Sequence, residues 1–327
     1  GSEMCIRDSY TAMRISRPAV HQAHTSPALL ASVVAWLDGW QATVPRRPFC
    51  LFVHMWDVHY DFNPPPPYDT MFDPDYAGAV NGDDFEKGSA VHVGMDARDL
   101  AHVVALYDGE IRYADAYVGR LVDALRAARL LDDTVVVVTA DHGEEFYEHG
   151  RKGHRFALYD ESIRVPLIIR YPARVPAGTV VEPQVRLVDV APTILALAGV
   201  VSPADFGLDP LLDPYAGRSL LPLLAGETVP PLPAFASLQP QAQSAIRHEH
   251  RKLIQTPFES VTDHLFDLTN DPGERTNLAA GDSAATERLK AALEQWALTA
   301  SVAAKRARTA AMSDDHTSAL RALGYIE

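Results

Sequence analysis

Thr134-Val135-Val136-Val137-Val138-Thr139-Ala140-Asp141-His142-Gly143 is the stretch on which the reading of the fold turns. Six β-branched residues in a row, with no polar alternation, predict a strand buried on both faces, as strands of parallel sheets are. The run then stops at two residues able to bind a metal, followed by a glycine that lets the backbone turn.

Working outward, the same alternation of strands and helices continues. Upstream, Asp96 is placed to cap a long helix whose apolar positions, Leu100, Val103, Val104, Tyr107, Ile111, Ala114, Val118, Leu121, Val122 and Leu125, keep helical spacing. Ser26-Pro27 reads as a helix start, a capping hydroxyl before a proline in the first turn. Phe49-Cys50-Leu51-Phe52-Val53 reads as a second buried strand, with Cys50 in the core. Asn63-Pro64-Pro65-Pro66-Pro67-Tyr68 predicts extended surface chain. Downstream, Val165 to Ile169 is a strand, and Asp189 to Ala198 a helix that stops at Gly199. Strand, long helix, strand, helix predicts a doubly wound, mostly parallel α/β sheet. From about Pro230, Ala234–Leu238, Ser244–Arg247, Lys252–Gln255 and His264–Leu268 are short segments between turns, and predict a small antiparallel sheet. Ala284 to about Ala311 is rich in helix formers.

The chain has 327 residues, 47% of them hydrophobic, and a formal charge of −14. Such a surface repels phosphate backbones, which argues against a nucleic-acid partner. Two cysteines, Cys5 and Cys50, exclude a disulfide framework and a cysteine zinc site. No apolar run reaches the roughly 18 residues of a membrane span. Gly1 to Ser9 has no apolar core of a signal peptide. Gly1 to Ser9 matches no structural pattern, and residues 1–18 are expected to be a non-native or disordered start.

Ligands of open α/β sheets bind beyond the carboxyl ends of the strands. Two strand ends carry polar clusters: Asp57, His59 and Asp61 at one, and Asp141, His142, Glu144, Glu145 and His149 at the other. Asp141 and His142 suit a shared cation, as an oxygen and a nitrogen donor; alternatively Asp141 caps the next turn and His142 is merely exposed. His59 is either a functional group or a histidine packed under Trp56. Lys152 and His154 lie in the loop Gly150-Arg151-Lys152-Gly153-His154-Arg155, which is either a solvated basic loop or a clamp for a tetrahedral anion.

Thr134 to Gly143, Glu148-His149-Gly150, Leu158-Tyr159-Asp160-Glu161-Ser162-Ile163-Arg164-Val165-Pro166-Leu167-Ile168 and Val188-Asp189-Val190-Ala191-Pro192-Thr193 follow one another in an order and spacing that resembles the sulfatase family of the alkaline phosphatase superfamily. Asp57-Val58-His59, Ala245-Ile246-Arg247, Lys252-Leu253-Ile254 and Leu265 to Leu278 extend the likeness over most of the chain from about Ser26. The resemblance implies an alkaline-phosphatase-like domain, incomplete, over 19–229, a small antiparallel subdomain over 230–282 and a helical tail over 283–327. It implies that Asp141 and His142 ligate a divalent cation, usually Ca2+, with Mg2+ or Mn2+ as alternatives. It implies that His59 and His154 contact the sulfate, His154 falling where many members place a lysine, with Lys152 the next candidate in that loop. Arg164, Asp189 and the Asn270-Asp271-Pro272-Gly273 turn are read as structural: an ion pair, a helix cap and a tight turn.

The family's nucleophile is a formylglycine made from a Cys or Ser, in Cys-x-Pro-x-Arg or a close variant. Cys5 is followed by Arg7 and Ser9, and Cys50 lies in the apolar run, so neither fits. The family's first strand, with its pair of Asp ligands, is also not recognisable. The expectation is an N-terminally truncated sulfatase that retains half the metal site and is inactive alone. A phosphodiester or phosphonate monoester hydrolase of the same superfamily, or a degenerate homologue that only binds anions, are the competing readings. The substrate expected is a small-molecule or glycan sulfate ester. Export to the periplasm or medium fits many bacterial members.

Overall fold

The computed structural model describes residues 25–46, 48–83, 85, 88, 90–199, 217–239, 242–257, 259–260 and 262–307. They fall into two compact units that divide between Leu131 and Asp132. The start at 1–18 and the tail beyond 307 lie outside the described residues.

In the first unit, α1 (Ser26–Gln41) packs against α2 (Ala97–Ala127). The residues α2 buries, His102, Val103, Leu106, Gly109, Glu110, Tyr113 and Tyr117, recur every three or four positions and form one stripe. Asp96 starts this helix as expected, its carboxylate accepting the Arg98 N–H at 2.7 Å. The start of α1 is made differently. Its N-cap residue is Thr25, with no side-chain cap of its own. Asp57, distant in sequence, accepts the backbone N–H groups of Thr25 and Ser26 at 2.8 and 2.6 Å.

Phe49 to Val53 does not form the expected buried strand. It carries no regular secondary structure and pairs in none of the sheets, Phe52 is 82% exposed, and Cys50 is exposed rather than core. Apolar content alone does not make a strand, because its backbone groups need a neighbouring chain to bond to. Phe49 instead sets its ring edge-on to Trp36 and Trp40. The proline stretch is held more firmly than expected: Pro64 is buried, and Tyr68 closes a turn onto the Pro65 carbonyl.

In the second unit, β1 (Val136–Thr139) pairs with β4 (Leu167–Arg170), Val137 opposite Ile169. The pairing is antiparallel, and so is every strand pair among the described residues. This corrects the expected parallel pairing of the Thr134–Thr139 strand. A parallel return needs a crossover helix, whereas the chain between β1 and β4 holds only the hairpin β2 (Glu145–Phe146) and β3 (Lys152–Gly153) and the single turn α3 (Asp160–Ile163). Val135 and Ile169 pack with Tyr171 and Val181 onto Val175, onto Leu197 of α4 (Val190–Leu197) and onto Leu224 of α5 (Leu221–Leu224). Asp189 opens α4 without capping it by its side chain. Its carboxylate grips the Arg186 guanidinium at 2.7 and 3.1 Å and the Arg218 N–H at 2.9 Å.

The C-terminal strands follow the sequence closely: β5 (Ala234–Leu238), β6 (Gln243–His248), β7 (Arg251–Gln255) and β8 (Asp263–Asp267), in that spatial order. Alternation gives the sheet two apolar faces. Ile246, Leu253 and Leu265 meet Ala285, Leu289 and Leu293 of α6 (Ser283–Ala307). The helix read as a tail thus covers one face of the sheet, with Trp296 stacked on Phe235. On the other face, Ala245, Ile254 and Phe266 pack on Leu158, with Tyr159 and Ile163 beside it. The segment that carries α3 is therefore core to the sheet.

Candidate active site

Asp141 and His142 leave the carboxyl end of β1. The His142 N–H donates to Asp141 Oδ1 at 3.0 Å, and His142 Nε2 lies 3.8 Å from Asp141 Oδ2. Asp141 is exposed and His142 partly so. Two donors each about 2.0–2.6 Å from an ion can stand this far apart, so the donor pair fits a shared divalent cation. It fits as part of a sphere, since calcium takes 6–8 oxygens. Among the described residues no three His, Cys, Asp or Glu side chains converge on one point.

His154 joins this pair. Its ring stacks on His142, centroids 3.9 Å apart and planes 25° apart. Its Nδ1 lies 3.1 and 3.2 Å from the two carboxylate oxygens of Glu144, whose side chain is 3% exposed. The β2–β3 hairpin makes this approach possible. Tyr147 N–H bonds to the Arg151 carbonyl at 2.7 Å, and Gly153 takes φ +91°, a conformation that favours glycine, immediately before His154. Lys152 stands on β3 opposite Phe146 and is half-buried.

The segment Leu158 to Ile163 brackets the loop from behind. The Gly143 N–H donates to the Ser162 carbonyl at 2.8 Å, and the Ser162 hydroxyl to the buried Glu145 at 2.8 Å. Burial pushes the Glu145 carboxyl above its ordinary range. His149 bonds through Nδ1 to Glu161 at 2.5 Å and through Nε2 to the Glu274 carbonyl at 3.1 Å, and its ring stacks on Tyr159. Fully buried Lys252 then ties the bracket to the sheet, with Nζ 2.9 Å from Asp160 and 2.7 Å from Glu274. Burial raises the Glu274 carboxyl, against the pull of Lys252.

His59 belongs to the first unit. It stacks on Trp56 at 4.8 Å, and its Nδ1 lies 2.7 Å from the Tyr60 carbonyl, the packed arrangement that the sequence left open beside the functional one. The loop that carries it is gripped by Glu110 of α2, which accepts the Asn63 N–H at 3.1 Å. Glu110 is 4% exposed, and burial, together with the nearby Asp57 charge, pushes its carboxyl up to about 7. Val58, next to His59, takes φ +93°, a costly conformation for a β-branched residue.

Asp141, His142 and His154 are thus in contact within one loop. Sequence reasoning gave no role to three acids that position the loops: Glu144, Glu161 and Glu110. Glu144 stood in the recognised polar cluster, and Glu161 in a recognised motif. Glu110 had one signal only, a charge on the apolar stripe of α2.

A family model described as Sulfatase matches residues 8–200. A second, N-sulphoglucosamine sulphohydrolase, C-terminal, matches residues 147–300. The chain is 34% identical over 196 residues to arylsulfatase K of Homo sapiens, covering 56% of this chain and 34% of that protein. It spans about a third of the length of the curated relatives it matches. A solved structure of BT4656 in complex with its substrate D-glucosamine-2-N,6-O-disulfate is similar in fold, with TM-score 0.66 and 22% identity over 84% of this chain and 69% of that one. The phosphonate monoester hydrolase of Agrobacterium radiobacter gives TM-score 0.62 and 25% identity over 84% of this chain and 60% of that one.

Proposed function

The chain belongs to the sulfatase family, and on that premise we propose that it carries cation- and anion-binding residues of a sulfuric ester hydrolase. The observation that carries the reading is the contact of His142 with His154 beside Asp141. Asp141 and His142 hold a divalent cation, Ca2+ by preference over Mg2+ or Mn2+. When bound, that cation would offset negative charge at the sulfate. His154 contacts the sulfate oxygens, with Lys152 as the neighbouring cation; His59 is a candidate anion contact of the first unit. The substrate class is a sulfate ester of a small molecule or glycan.

The chain contains no Cys-x-Pro-x-Arg, so these residues bind and orient but supply no nucleophile. The 327-residue chain by itself is expected not to release p-nitrophenol from p-nitrophenyl sulfate; chelator-sensitive release would overturn that.

A second reading, a phosphonate or phosphodiester hydrolase, is favoured by the likeness to the Agrobacterium enzyme. The two are separated by calorimetric titration of the calcium-loaded chain with sulfate and with phosphate. The sulfatase reading expects calcium uptake that His142→Ala abolishes, and tighter binding of sulfate than of phosphate. Calcium uptake by this half of a ligand set is expected to be weak, so the two anions decide: tighter phosphate binding favours the second reading.

A further inference from the structure

Glu144 has no part in the reading above, yet its surroundings are unusual. A carboxylate with 3% of its side chain exposed is expensive to bury for packing alone. Both its oxygens are spent on one atom, Nδ1 of His154, at 3.1 and 3.2 Å, and the His154 side chain is itself 8% exposed. The face of the His154 ring lies on His142. One edge and one face of the imidazole are therefore fixed by named partners.

A lysine presents three equivalent donors and needs no partner to choose among them. An imidazole has two unequal nitrogens, and which one carries the proton is set by what the other side bonds to. With the Glu144 carboxylate as acceptor, the proton sits on Nδ1 and that edge of the ring is held toward Glu144.

We propose that Glu144 is the positioning residue of the anion site: it fixes the ring plane and the protonated edge of His154. The proposal rests on the reading of His154 as an anion contact. It extends that reading to a residue that touches no ligand itself.

The test uses the full chain, labelled with 15N, and compares wild type with Glu144→Leu, which fills the space but accepts nothing, and Glu144→Gln, which keeps an acceptor. Two-bond 1H–15N spectra report the His154 tautomer, assigned with His154→Gln, and titration with inorganic sulfate reports affinity. Thermal melting shows whether each variant folds. Wild type and Glu144→Gln are expected to hold the proton on Nδ1. Glu144→Leu is expected to lose it and to bind sulfate on the order of tenfold or more weakly, as loss of an orienting outer partner does. A Glu144→Leu chain that keeps Nδ1 protonated overturns the proposal, and so does one that changes tautomer at unaltered sulfate affinity. If wild type binds no sulfate, the sulfatase reading falls, while the tautomer comparison still decides for or against Glu144 as the group that orients His154.

Discussion

A Cβ atom added to Gly143 would lie 2.0 Å from the carbonyl oxygen of Glu161. The glycine in the motif is thus a matter of space. The site loop and its bracket approach so closely there that they share a backbone hydrogen bond, Gly143 N–H to Ser162 O at 2.8 Å.

Gly143→Ala must therefore push two backbones apart. The expected outcome is a loss of about 1–3 kcal/mol of stability, as for other overpacked positions, with calcium affinity reduced at least tenfold. Gly119→Ala, in α2 with nothing within 4 Å of its Cβ, should instead gain about 0.5–1 kcal/mol from helix propensity. Urea denaturation of both variants, with calorimetry for calcium, checks the pair; equal effects would show that the contact at Gly143 is not decisive.

Lys252→Met takes the ammonium from between Glu274 and Asp160, leaving Asp160 with Arg247 at 2.8 Å. Breaking a buried pair from one side costs about 3–5 kcal/mol, and the loss should be partly restored by adding Glu274→Gln. The double-mutant cycle, measured by denaturant unfolding, is expected to show strong coupling. Additive effects would mean that the network does not hold the sheet to its bracket.

Glu110 makes stability depend on pH in a stated direction. Its carboxyl is raised from 4.5 to about 7 by burial and by Asp57, so folding takes up a proton between those values. The group does no harm below pH 4.5, and its contribution is lost progressively as pH rises through about 7. Above that it costs about 3 kcal/mol, from the rule of 1.36 kcal/mol per pKa unit. Glu110→Gln keeps an acceptor for the Asn63 N–H and removes the ionisation. It should be more stable than wild type at pH 8 and nearly equal at pH 5. Parallel stability curves for the two proteins between pH 5 and 8 would contradict this.

Calcium should raise the melting temperature of the chain and a chelator should reverse the rise, since a ligand at 100 times its Kd stabilises by about 2.7 kcal/mol. Asp141→Asn, which removes the charge but keeps an oxygen, should lower the shift. Asp141→Ala should remove it. A rise of the same size in Asp141→Ala would place the cation elsewhere.

The elements whose making is local were legible in the sequence. α2 was readable from its cap and its stripe, and the four strands of the C-terminal sheet from short alternating runs between turns. Phe49 to Val53 was misread because hydrophobicity reports what a segment avoids, while pairing requires a neighbour. The direction of β1 relative to β4 was misread because a run of β-branched residues looks the same in either orientation. At the site, Asp141, His142 and His154 were legible as residue types at a strand end and in the following loop. Their contact was not, because it depends on a hairpin closed by Tyr147 and Arg151 and on the conformation of Gly153.

By itself, the sequence determined the long helix α2, the four strands of the C-terminal sheet, the capacity of Asp141 and His142 to act as a donor pair, and the kinship. Each of these rests on local periodicity or on the chemistry of single side chains. Only the tertiary structure decided that Glu144 faces His154, that Glu161 stands against Gly143, and that Lys252 ties the bracket to the sheet. Those are encounters between residues 10 to 92 positions apart in the chain, and side-chain spacing along one element carries no record of them.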